Sequence, residues 1–179
     1  MRFVRPSGLT RQPAALRQIV TAYALAALVV VLDLVTKRWA AHELAGAPRS
    51  VIPGVLGFRY VENPGAAFSL FQNAGPFLGM AAVVAVGVVG TAVARRPRPR
   101  HEVVAFGLII GGALGNLVDR IARGPGFLDG HVIDWVQLLT IPTFNIADSS
   151  ITVSVSILLI ASWFSRPASA DRPVHEQKA

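Results

Sequence analysis

Four long apolar runs divide the chain, and ionisable residues enter them almost only near their ends. The first starts at Ile19 and continues to Leu32. Asp33, Lys37 and Arg38 follow in a pattern that stays helical to about Ala41. The others are Phe77 to Ala94, Val103 to Val118 and Ile146 to Phe164. A helix that crosses a bilayer needs about 20 residues, with about 17 tolerated. The third run reaches that length only through Ile121, which puts Asp119 and Arg120 at its end. The fourth carries Asp148 in its first turn. The pattern therefore predicts four transmembrane helices at about 19–41, 77–94, 102–121 and 145–164, in one domain spanning 19–165. Residues 1–18 and 166–179 read as basic, polar tails. A cleaved signal peptide fits the first run poorly, because the leader before it is long and no A-x-A site closes it.

Two segments between runs are polar enough to lie outside the membrane. In 42–75, Arg49 to Ile52 and Val55 to Val61 flank Pro53-Gly54, a turn-forming pair. Phe58, Tyr60 and Glu62 alternate with Arg59 and Val61 as on a strand. A small β-hairpin is expected there. Asn63-Pro64-Gly65 predicts a second turn, with proline setting φ at one position and glycine supplying a positive φ at the next. The stretch 122–144 reads as a loop.

Composition agrees with a lipid solvent. Hydrophobic residues make up 53% of the 179 and charged residues 15%, against about 25% charged in soluble domains. The absence of cysteine excludes disulfides, a thiol nucleophile and Cys-ligated metal. Four histidines without ligand spacing do not suggest zinc, so neither metal nor cofactor is expected. The net charge of +7 sits in short arginine clusters beside apolar runs. This is the pattern of topology signals, with no aromatic–basic interleaving for a nucleic-acid partner. Arg2, Arg5, Arg11 and Arg17 precede run one, Arg95, Arg96, Arg98 and Arg100 join runs two and three, and Arg166, Arg172 and Lys178 follow run four. The positive-inside rule makes that side, with both termini, cytoplasmic.

In an up-down-up-down bundle, the opposite face collects Asp33 and Lys37 from helix one and Asn116, Asp119 and Arg120 from helix three. It also collects Asp148 from helix four and Asp134 from the loop before it. Asp33 and Lys37 are i and i+4, a self-contained pair that reads as structural. Arg120 is expected to pair with Asp119 or Asp33. Asp134 and Asp148 have no partner at such spacing. Two carboxylates sharing a proton can activate water and protonate a leaving group. Spacing alone leaves a catalytic pair and a proton-binding transport site equally open, and a non-catalytic membrane assembly factor is a further reading. Gly107, Gly111, Gly115 and Asp119 form a small-xxx-small stripe suited to close helix packing, within the chain or between chains. The hydroxyls of Ser149, Ser150, Thr152, Ser154 and Ser156 read as interhelical hydrogen bonds. A serine nucleophile would need a base, for which His131 is the nearest candidate.

Five separated motifs stand in order: Asp33-Leu34-Val35-Thr36-Lys37, Glu62-Asn63-Pro64-Gly65-Ala66-Ala67-Phe68, Gly115-Asn116-Leu117-Val118-Asp119-Arg120, Gly130-His131-Val132-Ile133-Asp134-Trp135 and Phe144-Asn145-Ile146-Ala147-Asp148-Ser149. With these, the chain resembles the lipoprotein signal peptidases (signal peptidase II), aspartyl peptidases of bacterial inner membranes. The resemblance covers roughly Val31 to Ser156. It implies an all-α four-helix membrane bundle with a small β-cradle on the extracytoplasmic side. It implies cleavage of diacylglyceryl-modified prolipoproteins just before the lipidated cysteine, with Asp134 and Asp148 as the catalytic dyad. Asn63, Gly65, Asn116, Arg120 and Asn145 match positions around that site, facing substrate or globomycin-type inhibitors. Asp33, Lys37 and Asp119 match supporting positions. Membrane lipids are the other expected partners. Gly124 to Gly130 departs from the family pattern as an insertion, in which Asp129 reads as a solvated turn residue. Trp135 stands where Phe is more usual.

Overall fold

The computed structural model describes residues 11–65 and 74–165, with side chains from Ala15 onward. Ala66, Ala67 and Phe68 of the second motif, and the basic residues of both tails other than Arg11 and Arg17, lie outside the described residues. Four helices are long and apolar enough to cross a membrane: α1 (Arg11–Glu43), α2 (Gly75–Arg95), α3 (Arg100–Ala122) and α4 (Ile146–Phe164). Three strands, β1 (Arg49–Ile52), β2 (Leu56–Asn63) and β3 (Val132–Leu138), form an antiparallel sheet in the order β1-β2-β3.

Helix α1 begins eight residues before its apolar run, so 11–18, expected in a tail, are helical. Gln18 accounts for part of this. Its Nε2 donates to the carbonyls of Val93 (2.7 Å) and Arg96 (2.9 Å), and its Oε1 accepts from Arg98 N (3.0 Å). One side chain thus satisfies carbonyls that the end of α2 leaves without helical partners. Helix α2 carries Pro76 at its start, where no helical N–H is lost. It stops at Arg96, which is extended because the following Pro97 disfavours helical backbone there.

Helix α3 packs against all three other helices, and the glycine stripe is the reason it can. A Cβ on Gly107 would stand 2.7 Å from Ala22 O, and one on Gly111 would stand 2.7 Å from Val29 Cβ and 2.9 Å from Ala26 O. The stripe is spent inside the chain, on α1. Gly112, off the stripe, serves α4 in the same way: a Cβ there would meet Ala147 O and Ser150 Oγ, both at 2.5 Å.

The hairpin forms at Pro53-Gly54, with Gly54 at φ +72° and Val55 N bonded to Ile52 O at 2.9 Å. At the next turn Asn63 Oδ1 accepts from Gly65 N at 3.0 Å, so a side chain closes it. The stretch 122–144 differs from expectation, because it contains β3. In the β2–β3 register Phe58 faces Val136 and Val61 faces Asp134. Three steps on β2 match two on β3, a bulge beside Asp134. Trp39 of α1, Phe58 and Trp135 meet edge-on with centroids 5.4–5.9 Å apart. That trio fixes the sheet to the end of α1.

Candidate active site

The site is built from the ends of elements. Helix α4 starts in a capping box: Asn145 Oδ1 accepts from Asp148 N (2.8 Å), and Asp148 Oδ2 accepts from Asn145 N (3.3 Å). This reciprocal pairing satisfies two N–H groups and holds the Asp148 carboxylate at the positive end of the helix dipole. Asp148 Oδ1 accepts from Asn116 Nδ2 of α3 at 2.8 Å.

Asp134 comes from β3 and is 2% exposed. Its Oδ2 accepts from Asn63 Nδ2 (3.0 Å) and its Oδ1 from Asn145 Nδ2 (2.7 Å). Because Asn63 Oδ1 is occupied by Gly65 N, its amide is oriented with N–H toward the acid. Asn145 is fully buried, and its Nδ2 also meets Asn116 Oδ1 (3.2 Å) and Ile133 O (3.3 Å). One amide therefore touches both carboxylate networks. Burial, then the nearby charge of Asp148, push the Asp134 carboxyl up to about 7, against the pull of the Asn63 and Asn145 bonds.

A layer of charge lies behind. Lys37, fully buried, gives its ammonium to Asp33 Oδ2 (2.6 Å), Asp119 Oδ2 (2.8 Å) and Asn116 Oδ1 (2.9 Å). The ammonium thus ion-pairs with two carboxylates and donates a hydrogen bond to one amide. Asp33 Oδ1 also accepts from Ala147 N (2.9 Å), and Asp119 Oδ2 from Ile133 N (3.3 Å). The Asp33–Lys37 pair is thus no self-contained unit; it locks α1, α3, α4 and β3 together. Arg120 also departs from expectation. It pairs with neither Asp119 nor Asp33. Its Nη2 donates to Gly65 O (3.0 Å), while its buried Nη1 has no hydrogen-bond partner. Asp119 is instead met by Arg123 Nε at 2.7 Å. Sequence reading passed over Arg123, although i, i+4 spacing from Asp119 marks it.

In front of the carboxylates lies a cleft of about 760 Å³. Asn63, Gly65, Asn116, Arg120, Asp134 and Asp148 line its polar end. Leu78, Ala82 and Ala85 of α2, Ala113 of α3 and Ile151 and Val153 of α4 line the rest. Asp33, Lys37 and Asp119 do not reach it. Among the described residues no three His, Cys, Asp or Glu side chains gather as metal ligands. The α4 hydroxyls bond mostly within their own helix: Ser149 to Asn145 O, Thr152 to Asp148 O, Ser154 to Ile151 O and Ser156 to Thr152 O. Only Ser150 also reaches another helix, at Leu108 O. His131 faces Glu62 (3.4 Å) near the surface.

Comparison with known proteins gives a consistent result. A family model described as signal peptidase (SPase) II matches residues 25–164. The lipoprotein signal peptidase of Rhodococcus jostii is 39% identical over 158 residues, covering 87% of this chain and 79% of that protein. That of Thermosynechococcus vestitus is 37% identical over 152 residues, covering 79% and 90%. Two solved structures described as bacterial membrane enzymes are similar with TM-scores of 0.73 and 0.69, at 28% and 29% identity. They cover 87% and 82% of this chain and 94% of each matched chain.

Proposed function

The chain belongs to the signal peptidase II family, and we propose that it removes signal peptides from diacylglyceryl-modified prolipoproteins, cutting before the lipidated cysteine with Asp134 and Asp148. The observation that carries this reading is one geometry. Two carboxylates from different elements share the Asn145–Asn116 amide network and face the polar end of a cleft that is otherwise apolar. A peptide joined to acyl chains needs both surfaces at once. The apolar walls on α2, α3 and α4 take the acyl chains or a globomycin-type inhibitor, and the scissile bond meets the acids.

In this reading Asp134 holds the pair's proton and acts as the acid, and Asp148 acts as the base. Asp148 draws a proton from a water, whose oxygen attacks the scissile carbonyl, while Asp134 donates its proton to the developing oxyanion. Collapse of the tetrahedral intermediate breaks the C–N bond: the proton on Asp148 goes to the leaving amine, and one hydroxyl proton returns to Asp134 as the product carboxyl forms. The charge state belongs to the coupled pair. The free Nη1 of Arg120 offers a donor to a substrate carbonyl beside the acids.

The arginines of the α2–α3 connection lie at the opposite end of the bundle from the acids, so the positive-inside rule puts the termini in the cytoplasm and the cleft mouth outside. The test is cleavage of a diacylglyceryl-modified prolipoprotein by the purified protein beside Asp134→Asn and Asp148→Asn, followed by mass. Cleavage by wild type and loss of at least about 10³-fold in each folded variant is expected, within the range of general acid–base catalysis. Full activity in either variant overturns the dyad.

A further inference from the structure

The insertion Gly124–Gly130 is a built structure, not slack chain. Gly130 N bonds to Arg120 O (3.0 Å), and Gly126 N bonds to Asp129 Oδ1 (3.0 Å). Asp129, half-buried, thus closes a turn within its own loop. Leu128, in the left-handed region at φ +58°, is only 4% exposed. It sits on α2, where a Cβ on Gly79 would lie 2.8 Å from Leu128 Cβ, and one on Gly75 3.2 Å from Asp129 Cα. The neighbouring Phe127 points the other way and is 74% exposed.

Depth along α2 decides what surrounds that ring. Helix α2 has 21 residues, about 31 Å at 1.5 Å each, so nearly its whole length is needed to cross a hydrocarbon core of about 30 Å. Gly79 is four residues in, about 6 Å inside the boundary. Leu128 touches α2 at that level, and Phe127 is one residue away, within about 3.8 Å between Cα atoms. Irregular backbone at membrane depth survives only where its polar groups are satisfied by protein, and the Gly126–Asp129 and Gly130–Arg120 bonds do part of that work. Ile121, at the end of α3, is also an exposed apolar residue, at 61%.

We propose that Gly124–Gly130 is a membrane-dipping strap: Leu128 fastens it to α2, and Phe127 inserts among the acyl chains just inside the outer boundary of the bilayer. The partner is the lipid itself. The strap ties α2 to the end of α3 next to Arg120, so lipid contact at Phe127 steadies one wall of the cleft. This does not rest on the peptidase reading, and its test uses no enzymatic readout.

The chain contains no cysteine, so a nitroxide on Phe127→Cys reports on that position alone. The full chain is placed in lipid nanodiscs, and collision with oxygen is compared with collision with a water-soluble nickel chelate. Val84→Cys, mid-α2 and 56% exposed, is the lipid reference; His42→Cys, 86% exposed at the end of α1, is the aqueous one. The expected result is an oxygen-to-nickel ratio at 127 several-fold above that at 42 and below that at 84. A ratio at 127 equal to that at 42 overturns the proposal. Phe127 is exposed, so replacing it empties no packed site. Phe127→Trp, read against wild type in brominated lipid, gives an independent check. Extra emission that is quenched supports insertion, and extra emission that is not quenched refutes it.

Discussion

The raised titration of Asp134 sets a sign and a size for how stability follows pH. In the unfolded chain its carboxyl titrates near its ordinary value of 3.8; in the fold, burial and Asp148 push it up to about 7. The folded state therefore binds the proton more tightly than the unfolded state. The stability this contributes is fully present below the unfolded value and is lost as pH rises through about 7. Moving the titration from 3.8 to about 7 is worth at most about 4 kcal/mol, at about 1.4 kcal/mol for each tenfold change in proton affinity. Water entering the cleft reduces that, and a loss of about 2–4 kcal/mol between pH 4 and pH 8 is expected. The assay is unfolding in micelles at several pH values, wild type against Asp134→Asn. Other titrating groups are common to both, so their difference isolates the pair. Relative to wild type, the variant should gain about 2–4 kcal/mol as pH rises across that window. Parallel curves would refute the reasoning, because they would mean that the Asp134 carboxyl titrates alike in both states.

Two further perturbations probe what holds the acids in place. Lys37→Met removes the one cation between Asp33 and Asp119, leaving Asp33 with only Ala147 N; a loss of about 3–5 kcal/mol is expected, and adding Asp33→Asn should restore part of it in a double-mutant cycle of thermal midpoints. Gly111→Ala must displace the α1 backbone and should cost about 1–3 kcal/mol; Gly87→Ala on α2, with nothing within 4 Å, should cost nothing in the same unfolding assay.

Lipid makes much of this fold legible. A solvent that penalises every polar group writes four apolar runs into the chain, and their connectivity alone gathers Asp33, Lys37, Asn116, Asp119, Arg120, Asp134 and Asp148 at one end. Strand β3 was not legible, for a physical reason. Val132, Ile133, Asp134 and Trp135 are all buried, since both faces of the strand are covered, so the alternation that marked β2 is missing. Without β3 the partners of Asp134 could not be assigned. At Asn63-Pro64-Gly65 the part played by the Asn63 side chain was not legible, because such turns can be closed by more than one device.

The partition of partners follows from the elements that carry the two acids. Asp148 is the third residue of a helix, so backbone N–H groups and the dipole come with its position. Asp134 is a strand residue whose backbone pairs with Val61 of β2, and its carboxylate accepts hydrogen bonds from two neutral side-chain amides, Asn63 and Asn145. Lys37, buried behind the site, ion-pairs with Asp33 and Asp119, donates to Asn116 and reaches Asp148 only through the Asn116 amide. An arrangement that neutralised both acids equally would leave no reason for one proton to reside on a particular side. Here a helix terminus faces one carboxylate and two side-chain amides the other, and that asymmetry supports the proposal that Asp134 is the acid and Asp148 the base.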